Sequence, residues 1–486
     1  MPRLLLTHSY FLRFDPKQWK LGQPYPPLGT LYAAALMREH GYEVAVHDIQ
    51  LSDGPEEVVS VIDNYKPSIF VIYDDGFNYL TKMCLTNMRE AAFCMIRYAK
   101  ERGCVVIVSS SDSTDHSEKY LKAGADFVLI GEAEQTLLEV VRALNHSDAD
   151  FLSIPGLALM HDGNMVRTPK RPVMRNLDSL PLPAWDLMDL EPYRQMWLRR
   201  TGYFSINIGT TRGCPFKCNW CAKPIYGNRY NSRSPEHVIS ELKALQQLIS
   251  FDHIWFCDDI FGLRPGWVQQ FADLVERERL RFRFKIQSRA DLLLQESYVE
   301  ALARAGCEQV WMGAESGSQK ILDAMDKGIQ VEQVAAATQL LKSHGIQPCF
   351  FIQFGYLGET EDDIRLTLDM IRRLKPHEIG VSVSYPLPGT GFYEKVRADL
   401  RDKTNWTDSD ELALMFRNTY APKFYKKLHR YVHYKFRMQK GRMAMEKFFA
   451  SPFSIRWKDV RTAASSLLYL PRTVICRLQL KRYAHE

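Results

Sequence analysis

Short apolar runs take turns along this chain with longer stretches whose apolar residues recur every three to four positions, a repeating strand–helix beat. In the first segment it predicts strands at Arg3–Thr7, Glu43–Ile49, Ser68–Tyr73, Cys104–Ser109 and Phe127–Ile130. Helices are expected over Leu28–His40, Pro55–Tyr65, Met88–Arg102 and Glu134–Leu144, with Gly41 and Gly103 closing two of them. Such alternation predicts an α/β domain built on a parallel sheet. Ligands in these sheets sit beyond the carboxyl ends of the strands, so the loops that matter are His8–Gly29, Asp74–Asn78, Ser109–His116 and Gly131–Gln135.

The pattern then changes. Gly156–Pro169 alternates apolar and polar residues around Asp162-Gly163, a hairpin signature. The proline-rich stretch Leu177–Leu187 reads as an extended strap. After it the beat resumes, with strands at Phe204–Gly209, His253–Cys257, Phe282–Gln287, Gln309–Met312, Pro348–Gln353 and Glu378–Val383. The intervening helices are Pro235–Leu248, Gly266–Arg279, Ser297–Ala305, Val331–His344 and Glu361–Leu374. Six parallel strands with outer helices make a partial barrel, whose working face lies at the carboxyl ends of the strands. In the tail, Asn405–Leu412 reads as a cap leading into a helix. Phe424, Leu428, Val432 and Phe436 recur every four residues among lysines and arginines, a basic amphipathic helix, and Ala463–Leu470 forms a further apolar stretch.

A length of 486 residues suits two to four domains. The divisions expected are 1–150, a connector at 151–203, the barrel at 204–399 and a helical extension at 400–486. The net charge of +6 hides a split: residues 421–486 carry 16 Lys/Arg against 3 Asp/Glu, leaving −7 for the rest. A solvated basic face on a helical cap is the plain reading of that tail, and attachment to an anionic membrane surface the sharper one. Nucleic acid ranks last, because nothing in the chain matches a nucleic-acid-binding module. The opening residues form too short an apolar run for a signal peptide, and no run approaches the length of a membrane span. Of ten cysteines, seven are scattered, which fits a reduced cytoplasmic compartment.

The other three are Cys214, Cys218 and Cys221, spaced C-x3-C-x2-C within Gly-Cys-Pro-Phe-Lys-Cys-Asn-Trp-Cys. Thiolates favour zinc or iron–sulfur clusters. Structural zinc is closed by four ligands, whereas a cubane held by three leaves one iron open to a further ligand.

With Trp220 before the third cysteine, this loop resembles the cluster-binding signature of radical S-adenosylmethionine (SAM) enzymes. The resemblance implies a [4Fe–4S] cluster whose open iron is chelated by SAM and which cleaves SAM to a 5′-deoxyadenosyl radical. It places Asp258 and Asp259 at the methionyl amino group, where a carboxylate suits an ammonium. Arg289 would bind the SAM carboxylate, and Glu315 with Ser316 the ribose hydroxyls. Gly355 and Gly358 would let backbone approach the adenine, and Trp220 would lie beside it.

The first segment resembles the cobalamin-binding domain fused to many radical SAM enzymes, through Pro26-Pro27-Leu28-Gly29 and Ala125–Glu134. The fold implied is a Rossmann-like cobalamin-binding-type domain, a partial (β/α)6 TIM-like barrel and a helical C-terminal extension. Pro27, Gly29, Ser109, Ser110, Gly131 and Glu132 are the expected corrin contacts. The Asp-x-His-x-x-Gly motif that supplies a cobalt-ligating histidine is missing, because the loop after the first strand reads Thr7-His8-Ser9-Tyr10. Ser109-Ser110-Ser111-Asp112 stands where a Gly-Gly pair is usual. The alternative is a relic domain that binds no corrin and only shapes the substrate pocket.

The group resembled includes hopanoid C-methylases and the anaerobic magnesium-protoporphyrin ester cyclase. It implies an enzyme that methylates or oxidatively cyclises an unactivated carbon of a largely apolar small molecule, fed electrons by a flavodoxin or ferredoxin. A second reading is a methylthiotransferase, which needs a second three-cysteine site, with Cys84, Cys94 and Cys104 its only candidates. A third is a non-catalytic corrin or iron–sulfur sensor.

Overall fold

The computed structural model describes residues 2–77, 79–83, 85–221, 223, 225–400, 405–450 and 457–484. Asn78 and Cys84 lie outside these. Seven strands form the N-terminal sheet: β1 Arg3–Thr7, β2 Glu43–Val46, β3 Ile69–Tyr73, β4 Val105–Ser109, β5 Phe127–Leu129, β6 Leu157–His161 and β7 Asn164–Arg167. Their spatial order is β2-β1-β3-β4-β5-β6-β7, parallel as far as β5. The hairpin expected in the connector is the antiparallel edge of this sheet: Phe127 pairs with Leu159 and Leu129 with Leu157. β3 is buried on both faces, as a central parallel strand must be. Helices Leu28–Glu39 and Glu134–Ala143 cover one face, and Thr86–Glu101 the other.

The second sheet begins with β8 Ser205–Ile208. A two-residue pair follows, β9 Thr211–Arg212 and β10 Asn231–Ser232, and then β11 His253–Phe256, β12 Arg283–Ser288, β13 Cys307–Glu315, β14 Gln347–Phe354 and β15 Glu378–Val383. The order β15-β14-β13-β12-β11-β8 is all parallel, a six-strand half-barrel walled by helices such as Pro235–Leu248 and Glu361–Leu374. β13 runs nine residues where the apolar pattern marks four, because Gly313–Glu315 continue pairing with β14 across an irregularity in register.

The expected cap at Asn405–Leu412 does not lead straight into a helix. Residues 405–418 instead strap the two units together. Arg89 donates to Asn405 (2.9 Å), Thr86 N–H to the Trp406 carbonyl (2.9 Å), Ser409 to Asp15 (2.8 Å), and Asn418 to the Gly355 carbonyl (2.8 Å). Helices Pro422–Ala450 and Trp457–Tyr483 follow, packed on each other. Phe424, Leu428, Val432 and Phe436, the stripe read as amphipathic, are buried in the core. No helix among the described residues is long and apolar enough to cross a membrane.

Candidate active site

The three cysteines follow β8, at the carboxyl-end face of the half-barrel. Asp258, just past β11, holds the chain between strand and cysteines. It accepts from the Thr210 N–H (2.7 Å), the Thr210 hydroxyl (2.5 Å) and the Thr211 N–H (2.9 Å). Burial pushes its carboxyl up to about 7. Gly213 sits at φ 78°, with the Arg229 carbonyl against the place a side chain would take, so only glycine closes the turn into Cys214. Arg233 donates to the Gly209 carbonyl (2.9 Å), to Tyr32 Oη (2.9 Å) and to Glu241.

On the far side of the loop, Asn219 is the anchor. Its N–H donates to the Met325 carbonyl (3.0 Å), its Nδ2 to the Ala324 carbonyl (2.8 Å), and its Oδ1 accepts from Tyr356 (2.7 Å). The only sign of it in the sequence is an amide between Cys218 and Trp220.

Cys214 is buried and Cys218 and Cys221 are half-buried, none in a disulfide. Burial pushes the Cys221 thiol up to about 12, with Asp259 adding to the effect, and raises Cys214 as well. Among the described residues no three His, Cys, Asp or Glu groups come close enough to hold a single metal ion. A cubane makes a different demand, each thiolate reaching a different iron. The surroundings suit its negative charge: Arg289 Nη1 is 3.9 Å from Cys218 Sγ, and Lys82, Lys223 and Lys327 all act electrostatically on the thiols. The donor set fits a [4Fe–4S] cluster.

The SAM-contact residues gather at the same face with unequal freedom. Asp259 is paired with Lys82 Nζ (2.9 Å), which ends the short helix Tyr79–Lys82 after β3 in the N-terminal unit. Arg289 lies over the Phe216 ring at 3.7 Å, donates to Asp291 (3.0 Å) and to the Lys327 carbonyl (3.0 Å), and turns Nη1 to the cysteines. Glu315, at φ 55°, accepts from Lys327 Nζ (2.9 Å), and both side chains are under a tenth exposed. Lys327 also stands 5.8 Å from the Trp220 ring centre. A Cβ on Gly313 would lie 2.5 Å from Lys327 Nζ and 2.8 Å from Glu315 Oε1, so a larger residue there would push the tips of this ion pair aside. Trp220 Nε1 is buried without a hydrogen-bond partner among the described residues. An orphaned indole donor beside an ion pair and three thiols fits a polar ligand such as SAM.

Other expected contacts are spent elsewhere. Both oxygens of Asp258 belong to the Thr210–Thr211 turn, so it positions the loop. The Ser316 hydroxyl bonds Thr367 Oγ1 (3.1 Å) and accepts from the Ser318 N–H (3.1 Å). Gly355 packs against Leu414 and Tyr425 of the tail, and Gly358 is exposed, with Lys320 donating to its carbonyl (3.0 Å).

The residues expected at a corrin have partners of their own within the protein. Pro27 caps the Leu28–Glu39 helix, and the Gly29 N–H donates to Asp75 (3.2 Å). Ser109 ends β4, and its carbonyl accepts from the Asp74 N–H (2.8 Å). Ser110 and Ser113 cap each other in the unexpected short helix Ser111–Asp115. Gly131 faces the Ile225 carbonyl in the barrel. Glu132 accepts from Arg212 (2.6 Å) and from the Met174 N–H (2.5 Å), while Glu134 takes the other arm of Arg212 (2.6 Å). That guanidinium is two residues before Cys214 and lies 5.1–5.7 Å from the rings of Tyr32, Phe77 and Tyr226. Burial raises the Glu132 carboxyl above its ordinary value, against the pull of Arg212. Nothing in the local pattern singled out Arg212, because its partners lie about 80 positions away. These contacts tie the carboxyl edge of the N-terminal sheet to the rest of the protein. His8 is held at Nε2 by Asp48 (2.8 Å) and accepts at Nδ1 from the Tyr10 N–H (3.3 Å), so both ring nitrogens are occupied. His8 is thus committed within the protein, so a corrin at this edge would be held without it as a ligand.

Residues 208–371 match the Radical SAM superfamily and residues 19–141 the B12 binding domain. An uncharacterized methyltransferase of Pyrococcus horikoshii is 28% identical over 392 residues, 79% of this chain and 82% of that protein. The anaerobic magnesium-protoporphyrin IX monomethyl ester cyclase of Rubrivivax gelatinosus is 26% identical over 383 residues, covering 76% and 66%. In three dimensions the chain is similar to the cobalamin-dependent SAM radical enzyme OxsB with aqua-cobalamin bound, at a TM-score of 0.76 and 16% identity, over 99% of this chain and 72% of that one.

Proposed function

We propose that this chain, which belongs to the radical SAM superfamily and carries a B12 binding domain ahead of its barrel, modifies an unactivated carbon of a small molecule, adding a methyl group or closing a ring by oxidation. Its cofactors are a [4Fe–4S] cluster, SAM and cobalamin. Cluster and SAM together supply hydrogen-atom abstraction, and cobalamin supplies methyl transfer. One observation carries the proposal: the cysteine triad at the carboxyl end of β8 is ringed by Asp259, Arg289 and the Glu315–Lys327 pair, with the B12-type unit packed behind it through Arg212.

The residues divide the work. Cys214, Cys218 and Cys221 hold the cluster, and Asp258 and Asn219 fix the loop that carries them. Asp259 receives the methionyl ammonium, and Lys82 occupies that place in this structure. Arg289 takes the carboxylate through Nη1, its other nitrogens being tied to Asp291 and Lys327. Glu315, charge-balanced by Lys327, faces the ribose, and Trp220 borders the adenine. Gly355 and Gly358 act at second hand, by shaping the turn after β14. The cobalamin lies at the carboxyl edge of the N-terminal sheet, which Arg212 ties to the cysteine loop.

The substrate is largely apolar, the electron donor is a flavodoxin or ferredoxin, and the basic tail meets a membrane. A second cluster has little support: Cys94 lies near Arg97 on an outer helix, Cys104 donates to the Pro67 carbonyl, and Cys84 is outside the described residues. Anaerobic reconstitution with SAM and a strong reductant tests the reading. About four irons per chain and release of 5′-deoxyadenosine are expected. Eight irons would instead favour a methylthiotransferase, and absence of 5′-deoxyadenosine with every reductant a sensor. A product heavier by one methyl identifies methylation, and one lacking hydrogens identifies cyclisation.

A further inference from the structure

We infer that the outward face of the Trp457–Tyr483 helix is a docking surface for an anionic lipid bilayer, on which the helix lies flat. The inference rests on the proposal that the tail meets a membrane and moves the contact to a different helix. The basic helix singled out in the sequence turns its apolar stripe inward. In the last helix the opposite holds: Trp457, Leu467, Leu468, Val474, Ile475 and Leu478 are 52–79% exposed.

The rotation of this helix is set by its other side. Ala463, Ser466, Cys476 and Leu480 are buried. Ser466 packs where a Gly441 side chain would project, and Tyr469 stacks on Tyr434 at 5.6 Å and accepts from Arg437 (3.2 Å). Since Ser466 meets Gly441 and Tyr469 meets Tyr434, the helices run antiparallel. The outward face is therefore a fixed feature of the fold.

At about 100° per residue, Leu467, Val474 and Leu478 share one line along the helix. Arg461 and Arg472 flank it on one side, Arg477 and Lys481 on the other, all exposed. The acid in the first turn is Asp459. A row of leucines bordered on both sides by long cationic side chains suits the boundary between acyl chains and anionic headgroups. There the apolar row sinks in and the cations reach up to phosphate. The helix is too polar to cross a membrane, so it lies in the plane. The charge is complementary to such a surface, given 16 basic against 3 acidic residues from 421 onward. Running antiparallel, its last turns come level with Tyr425, which packs on Gly355 at the end of β14.

The test uses the full reconstituted chain, sedimented with vesicles of phosphatidylcholine with or without phosphatidylglycerol. Binding to the anionic vesicles is expected, with weaker binding to phosphatidylcholine alone. Leu467→Gln with Leu478→Gln lowers the partition coefficient by about tenfold or more. Arg472→Gln with Arg477→Gln removes the preference for anionic lipid. These side chains are exposed, so circular dichroism and the melting temperature stay unchanged. A wild-type chain that sediments with neither vesicle overturns the membrane contact itself. Binding that survives both double variants leaves the membrane contact standing and overturns this face. A concentration-dependent dimer in light scattering, lost in the leucine variant, shows that the face pairs two copies and overturns the lipid assignment.

Discussion

Arg212→Met keeps an apolar body among Tyr32, Phe77 and Tyr226 but removes the charge that Glu132 and Glu134 share. The three side chains are 4%, 7% and 2% exposed, so the two acids are left facing each other without water. Glu134 Oε2 already lacks a hydrogen-bond partner among the described residues, so it has no second donor to fall back on. Removing one partner of a buried ion pair costs about 3–5 kcal/mol. In a local opening equilibrium that is roughly a hundredfold to several thousandfold. The opening parts the β5 loop from the cysteine loop, and amide hydrogen exchange read by mass spectrometry on peptides covering 129–136 and 208–214 measures it. Both peptides should exchange faster by that factor, and iron retention should fall because Cys214 is two residues away. Adding Glu132→Gln and Glu134→Gln to Arg212→Met strands no charge and should restore most of the protection. A change below about tenfold in the single variant, or a triple variant that exchanges as fast as the single, would refute the ion triad as the clasp between the units.

If Asp259 receives the SAM ammonium as proposed, Lys82 competes with it, and Lys82→Met should tighten SAM binding. A partly exposed pair is worth about 1 kcal/mol, roughly fivefold in Kd, and isothermal titration of the reconstituted chain checks it. Gly313→Ala pushes apart the tips of Lys327 and Glu315 and leaves the backbone in place. SAM affinity should drop about tenfold while the melting temperature barely moves. Burial raises Glu359 from its ordinary 4.5 to about 8, and its Oε1 has no hydrogen-bond partner among the described residues. The folded chain therefore holds a proton there that the unfolded chain releases. Wild-type stability falls as pH climbs from about 4.5 to about 8, by up to about 1.4 kcal/mol per pH unit. Glu359→Gln should flatten that slope in thermal melts across the range, and an unchanged slope counts against the buried acid.

The sequence made the frame of this protein legible and much of its wiring invisible. Every strand of both parallel sheets stands within a few residues of its apolar run, because parallel strands are buried on both faces and announce themselves. Cys214, Cys218 and Cys221 are readable because the ligand spacing is local. Roles that depend on partners far along the chain are not. Glu132 and Gly29 are bonded to Arg212 and Asp75 from about 80 and 46 positions away, pairings that no local pattern announces. The periodicity of the Phe424–Phe436 stripe shows that one face is apolar, but it is silent on whether that face meets lipid or a barrel. Only the fold shows the barrel there, and an exposed apolar row one helix later. Lys82 and Lys327 look like ordinary surface lysines in the sequence, and their importance comes from what they stand beside.

The strap at residues 405–418 has a consequence for how the protein is made. Ser409 reaches Asp15 across 394 positions, and Asn405 reaches Arg89 across 316. These contacts join segments of the chain that leave a ribosome far apart in time. At about 5–20 residues per second, the triad emerges roughly ten to forty seconds before the strap. During that interval β11 through β15 emerge in turn and join β8, while the belt between the two units has not been synthesised. The order of translation therefore sets when the strap can tie the two units together.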